Sequence, residues 1–435
     1  MKKSIVGVYQ KLYSHKLIRN FMMIFTGQGV ASIFNMLSTI IIVGGIGSTQ
    51  HGILVVTQSY GSLFYSLFSF KTFQGLIKYL AKSRSEDDLE STKLYIKWSL
   101  IMDICSLCLM FVLGLLLQDV IINLMSWNVK LKKYCVIYLA IQLFYFQGTC
   151  IGLLRSYERY NCVVKALVIS SIIRLFSYGI CYISFKSFYS FFLSECLSQL
   201  VNYLLLIFYT YKLLKEKDLL NFYKVKLRLK KEFIMFNIYS NLTSSLDLPV
   251  NQITTLIINK YLGFEANSAY NVFTNLGSII NKLGDPINQV IYPEMNLLII
   301  DKKYLEAKKL SKKLKLFMLG IFIFLSIGTY LSYPIWFHYF INDVNKYIWP
   351  FILYLAFMCY VDAAMGTHNL FMALGYVKYN IPILLVINVL YLIGLFYAVQ
   401  ILGLTGVILA YFIQAFLVVM IKEIILKLNN YQEYF

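Results

Sequence analysis

Two long stretches of the chain, 20–70 and 379–421, contain no Asp, Glu, Lys or Arg. Each is about twice the ~20 residues a helix needs to cross a hydrocarbon core, so each predicts a pair of spans. The same pattern, apolar runs of membrane length broken by short lysine-rich segments, fills the rest of the sequence. It predicts twelve helical spans, at 20–44, 52–76, 94–118, 131–154, 161–184, 187–210, 233–259, 266–298, 316–338, 347–373, 379–400 and 403–427. The class is an all-α polytopic membrane protein. The basic leader 1–20 runs into an apolar stretch too long for a signal-peptide core, so it reads as uncleaved.

Composition agrees: of 435 residues, 59% are hydrophobic and 14% charged, against about 25% charged in an ordinary soluble domain. The net charge of +19 does not point to nucleic acid, because most of the charges lie between the spans. With the N-terminus inside, 31 of the 40 Lys and Arg fall in or beside inner segments and six in or beside outer ones. The positive-inside rule therefore places both termini in the cytoplasm. The remaining three cations, Lys71, Arg174 and Lys282, fall within spans.

An internal repeat organises the spans. Displacing the chain by 216 residues lays 47–94 on 263–310 with nine identities in 48 positions, among them Gly47 on Gly263, Val56 on Val272 and Gly61-Ser62 on Gly277-Ser278. Six spans per half is an even number, so both halves enter the membrane the same way round. The expectation is two pseudo-symmetric six-helix lobes, 1–210 and 233–435, joined by the basic linker 211–232 and enclosing a cavity. Segments 77–93 and 301–315 read either as amphipathic helices on the cytoplasmic surface or as solvated loops.

Charge inside a membrane costs on the order of 2.5–3.5 kcal/mol at a lipid-facing helix centre. The three cations and the acids Asp103, Glu195, Asp247, Asp285 and Asp362, with Glu294 nearer a span end, therefore suit a wet cavity. Structural readings stand beside that one: Lys282 with Asp285 one turn on, Arg174 with Glu195 on the next helix, and Lys71 snorkelling to the interface. Pro249 and Pro286 each cancel a helix hydrogen bond in the seventh and eighth spans. The first two spans are loosened by Gly27, Gly29, Gly44, Gly45 and Gly61. These bendable hairpins read as gates, or as kinks that serve packing. Cys105 and Cys108 have metal-ligand spacing without a second pair, which reads as packing. There is no phosphate loop, no HExxH and no nucleophile elbow. No segment outside the membrane is long enough for a soluble catalytic domain, so a transporter is expected rather than an enzyme.

The stretch "GSTQHGILVVTQSYGSLF", the run from Asp247 through "LPVNQITTLIINKYLGFEANSAYNVFTNLGSIINKLGDPINQVIYPEM", and the segments "LLRSYERYN" and "FMALGYVKYN" resemble Wzx-type polysaccharide repeat-unit flippases. These belong to the multidrug/oligosaccharidyl-lipid/polysaccharide exporter superfamily, and the resemblance runs along nearly the whole chain. It implies a MATE-like fold and a carrier of undecaprenyl-diphosphate-linked oligosaccharides. The substrate would pass from the cytoplasmic to the outer leaflet by alternating access, for capsule, O-antigen or exopolysaccharide.

The resemblance also implies a cationic lumen of Lys71, Arg174 and Lys282 meeting the diphosphate, Lys282 lying in the span where related lipid flippases place such a cation. Gly27, Gly29, Gly61, Pro249 and Pro286 would let the hairpins open sideways, and Glu195, Asp247, Asp285 and Asp362 are coupling or charge-pairing acids. The first span lacks the cation of better-charged relatives and offers Gln28. No cofactor is expected, with coupling to a proton, a sodium ion or the membrane potential. The expected partners are the lipid-linked substrate, the membrane, and the polysaccharide polymerase with its chain-length machinery. The alternative is a cation-coupled multidrug exporter of the same superfamily, which would be expected to use a carboxylate-dominated cavity. A lipid II flippase carries two further C-terminal spans.

Overall fold

The computed structural model describes residues 2–70, 72–245, 248–300, 302–341, 343–374 and 376–428. The side chains of 2–22, 82, 85, 239–245, 248–249, 279–294, 296–297, 300, 321–322, 344, 373, 377–378 and 428 lie outside that description. All regular secondary structure in the described backbone is helical, with no strand among those residues.

Helix α1 (Lys2–Phe68) carries the first two spans, and α2 (Thr72–Ser85) follows the second. Helix α3 (Leu89–Leu116) is the third span, followed by the short α4 (Gln118–Leu124). The fourth is divided into α5 (Leu131–Gln142) and α6 (Gln147–Ser156), while α7 (Tyr160–Ser184) and α8 (Phe188–Glu216) are the fifth and sixth. In the second half, α9 (Lys231–Ser245) and α10 (Leu248–Ile300) hold spans seven and eight. Helices α11 (Tyr304–Trp336) and α12 (Val344–Ala373) are the ninth and tenth, and α13 (Val377–Leu428) holds the last two.

The three double-length helices each break at a glycine. Gly47 (φ 79°, ψ 163°) divides α1, Gly263 (φ 85°, ψ 177°) divides α10, and Gly403 (φ 59°, ψ −137°) divides α13. A side chain makes these conformations strained, so only glycine turns the chain so abruptly. Gly47 and Gly263 are the pair that the 216-residue repeat superimposes, and they share one backbone geometry.

The turns after α2 and α10 match as well. Asp88 N–H donates to Ser83 O at 2.8 Å and Lys303 N–H to Leu298 O at 2.7 Å. Asp87 and Lys302 sit just before them at positive φ. This is the capping pattern that satisfies the last carbonyls of a helix.

Two local expectations change. Residues 304–315 do not form a separate surface helix but the start of α11, continuous with its span. No Gly or Pro interrupts that stretch, and its lysines and leucines are good helix formers. On the matching segment, α2 stops at Ser85, and 89–93 already belong to α3, whose first turn is capped by the Asp88 carboxylate. The fourth span, expected to be continuous, is unwound at 143–146. Three-residue backbone bonds, such as Leu143 to Ala140 O and Tyr145 to Gln142 O, satisfy the freed groups there.

The helices gather into two compact units. Unit 1 comprises Met1–Ser38, Gly61–Ile121 and Asn128–Ser245; unit 2 comprises Thr39–Tyr60, Ile122–Trp127 and Leu246–Phe435. The core of unit 1 joins Leu76, Leu80, Ile96, Leu153, Leu154 and Phe233. Its linker is fastened to α3, where Lys97 Nζ donates to the carbonyls of Tyr223 and Val225 at 2.8 Å and Trp98 Nε1 to Arg228 O at 2.9 Å. In unit 2, Met295, Ala307, Leu370, Phe371 and Leu426 tie α10 through α13 together. Large apolar side chains such as Ile183, Phe324 and Ile401 point outward, as contact with lipid tails requires.

Candidate functional site

The charged centre of unit 1 is built on α7 and α8. Arg174 Nη2 donates to Glu195 Oε1 at 2.8 Å, its Nη1 to Asn35 Oδ1 at 3.2 Å and its Nε to Ser198 Oγ at 3.2 Å. The carboxylate of Glu195, only 2% exposed, also accepts from Tyr178 Oη at 2.8 Å and Gln199 Nε2 at 3.0 Å. Arg174 keeps 21% of its side chain accessible. A guanidinium carries five N–H donors, so this one retains spare donors while its charge is already matched. It offers an anion hydrogen bonds more than net charge.

Among the other expected residues, Asp103 has a different set of partners within unit 1. Asp103 accepts from Thr72 Oγ1 and Thr149 N–H, both at 2.7 Å, and so ties α2 and α6 to α3. Asp362 is buried on α12 in unit 2. Lys71, Asp247, Pro249, Lys282, Asp285, Pro286 and Glu294 lie outside the described residues or side chains. Gly27 is closely packed, since a Cβ there would come within 2.0 Å of Val164 Cγ1, whereas one at Gly29 would meet nothing within 4 Å.

A cavity of about 330 Å³ lies within unit 2, lined by none of the charged residues that the sequence singles out among those described. Its wall holds the amides Asn251, Gln252 and Asn271, the hydroxyl residues Ser59, Thr255 and Thr274, and the rings of Tyr270, Tyr354 and Tyr411. Val55 and Met358 also line it, and among the described residues none of the lining is charged. Tyr411 Oη donates to Asn251 Oδ1 at 2.8 Å, and Asn275 Nδ2 to Asn271 Oδ1 at 3.0 Å. Both bonds occupy amide oxygens and leave the amide N–H groups of Asn251 and Asn271 as donors. The rings are braced by aromatic neighbours, Phe273 behind Tyr354 at 6.0 Å and Phe357 behind Tyr411 at 4.6 Å.

The two centres correspond through the repeat. A Cβ on Gly61 would lie 2.7 Å from Tyr138 Cδ1, and one on Gly277 would lie 2.7 Å from Tyr354 Cε1. Gly61 and Gly277, Tyr138 and Tyr354, Asn35 and Asn251, and Glu195 and Tyr411 are each separated by 216 residues. Where unit 1 carries a carboxylate held by arginine, unit 2 carries a tyrosine held directly by asparagine.

A family model described as "Polysaccharide biosynthesis protein" matches residues 17–299. The chain belongs to this family. No curated protein matches it. Among solved structures, it resembles an inward-facing multidrug resistance MATE family transporter of the MOP superfamily, with a TM-score of 0.63 at 15% identity over 94% of both chains. It also resembles a mutant of the Vibrio cholerae MATE transporter VcmN, at 0.58 and 12% identity over 94% of this chain and 95% of that one. A third is a MOP superfamily transporter from Pyrococcus furiosus, whose description reports reversed binding-pocket polarity, at 0.56 and 19% identity over 95% of each chain. The fold of this family member is thus the MATE-like fold of membrane transporters.

In this polysaccharide-family chain, the kink end of unit 2 is tightly closed. His51 Nδ1 lies 2.7 Å from Ser268 Oγ, and Trp127 Nε1 bonds Asn259 Oδ1. A Cβ on Gly52 would fall 1.8 Å from Phe264 O, so only glycine permits that approach. The cavity residues carry no sequence motif, but the repeat is a usable signal, because Tyr354 and Asn251 are the repeat partners of Tyr138 and Asn35.

Proposed function

We propose that this member of the polysaccharide biosynthesis family is a flippase. It carries undecaprenyl-diphosphate-linked oligosaccharide units from the cytoplasmic to the outer leaflet of a bacterial inner membrane. The observation that carries the reading is the family match over residues 17–299 in a chain with a transporter fold. A polysaccharide-building family needs a member that moves polar, lipid-anchored sugar across hydrocarbon, where each unsatisfied polar group costs several kcal/mol. The isoprenoid tail stays in lipid while headgroup and glycan pass through the protein.

Lys71 and Lys282, with the spare N–H groups of Arg174, meet the diphosphate. Each of its roughly two negative charges gains ~2.3 kcal/mol per 100 mV on moving outward from a negative interior. The membrane potential therefore drives export, and collapsing it should slow transport.

The test is a deletion strain in which surface polysaccharide and the sidedness of undecaprenyl-linked sugars are followed together. Loss of polymer, with lipid-linked units accumulating out of reach of an external probe, is expected. Complementation by Lys282→Ala should fail at unchanged protein level. Normal polymer with new sensitivity to cationic drugs would instead place the chain among drug exporters.

A further inference from the structure

We propose that the cavity of unit 2 seats an uncharged sugar ring of the transported glycan. The inference rests on the flippase reading and assigns one part of the substrate to one place.

Elimination supports the assignment. A lipid-linked sugar has an isoprenoid tail, a diphosphate and a glycan. The tail would leave the amide of Gln252 and the amide N–H groups of Asn251 and Asn271 against hydrocarbon without partners. The diphosphate needs cations, and among the described residues no lysine or arginine lines the cavity. An acidic sugar would be left unmatched for the same reason. A neutral sugar fits on both counts. Its hydroxyls donate and accept, and the side chains of Asn251, Gln252 and Asn271 answer with both kinds of group.

The oxygens of Asn251 and Asn271 are already engaged by Tyr411 and Asn275, so their N–H groups are held ready to donate. Gln252 makes no hydrogen bond among the described residues and keeps its whole amide free. The faces of Tyr270, Tyr354 and Tyr411 supply flat apolar surface for the C–H side of a pyranose.

The wall is also built at one depth. The lining residues of α1, α10 and α13 all lie seven to twelve residues from Gly47, Gly263 or Gly403. At 1.5 Å per residue this is about 10–18 Å below the kink end of the unit. The seat is therefore inside the membrane and not on its surface. There an uncharged polar wall has little purpose without a polar ligand.

The competing ligand is an organic cation resting on the tyrosine faces. The test uses the full chain in nanodiscs and three probes: the glycan-bearing lipid isolated from the deletion strain, undecaprenyl diphosphate without sugar, and tetraphenylphosphonium. Gln252→Ala and Asn271→Ala are each expected to weaken binding of the glycan-bearing lipid about tenfold, equal to about 1.4 kcal/mol. Binding of the sugar-free lipid should not change, which also shows that the variants are folded. Unchanged affinity for the glycan lipid in both variants would overturn the proposal, as would an equal loss for both lipids. Displacement of the glycan lipid by tetraphenylphosphonium, with that binding lost in the variants, would make the cavity a cation site. Wild-type protein that binds neither lipid would refute the flippase reading itself.

Discussion

The Arg174–Glu195 pair makes a sharp prediction because its two halves respond differently to the loss of a partner. Glu195→Gln keeps the shape of the side chain and removes its charge. Arg174 then keeps its bonds to Asn35 and Ser198 but has no counter-ion. Breaking a buried ion pair costs about 3–5 kcal/mol. Arg174 is still 21% accessible, so the lower end applies, and Glu195→Gln should cost about 3 kcal/mol. Arg174→Met should cost less, about 2 kcal/mol, because a carboxylate left alone can take up a proton while a guanidinium cannot shed one.

The double variant should be little worse than the more damaging single one, giving a coupling energy of about 2 kcal/mol. The assay is equilibrium unfolding of the purified protein in mixed micelles, read by near-ultraviolet dichroism for all four members of the cycle. Additive effects, or a Glu195→Gln change below about 0.5 kcal/mol, would show that the pair does not hold α7 to α8.

Two further predictions concern the backbone. Gly47→Ala and Gly263→Ala should each cost about 1–3 kcal/mol in the same unfolding assay, because both positions need a conformation closed to side chains. Gly29→Ala, where the new methyl meets nothing within 4 Å, should instead stabilise by up to about 1 kcal/mol through helix propensity. Asp88 caps α3 by accepting from Ser91 N–H at 2.9 Å, and its bonds to Ser91 hold its carboxyl below the ordinary value. Asp88→Ala should cost about 1 kcal/mol. The gap from wild type should be full above the unfolded value of 3.8 and vanish as the pH falls through the lower folded one. A pH-independent gap would remove the carboxylate from the account.

The sequence by itself determined the class, the spans and the repeat. Its charge-free stretches can satisfy their backbone in lipid only as helices, and the matched Gly47 and Gly263 mark breaks that no other residue makes so easily. It also exposed the intramembrane charges, because charge is costly in hydrocarbon and stands out. It left two readings of Arg174, and the facing of α7 and α8 places the guanidinium against Glu195.

Tertiary structure alone decided the rest. Asn, Gln, Thr and Tyr are cheap enough inside a membrane protein to be common there, so no single one signals a site. Ser59, Asn251, Asn271, Tyr354 and Tyr411 become a site only because the rotation of their helices turns them toward one cavity. The grouping of 39–60 and 122–127 with unit 2 likewise depends on the close approach at Gly52 and on Trp127 reaching Asn259. A linear pattern reports what each residue costs in lipid. Which residues meet is fixed by the packing of whole helices.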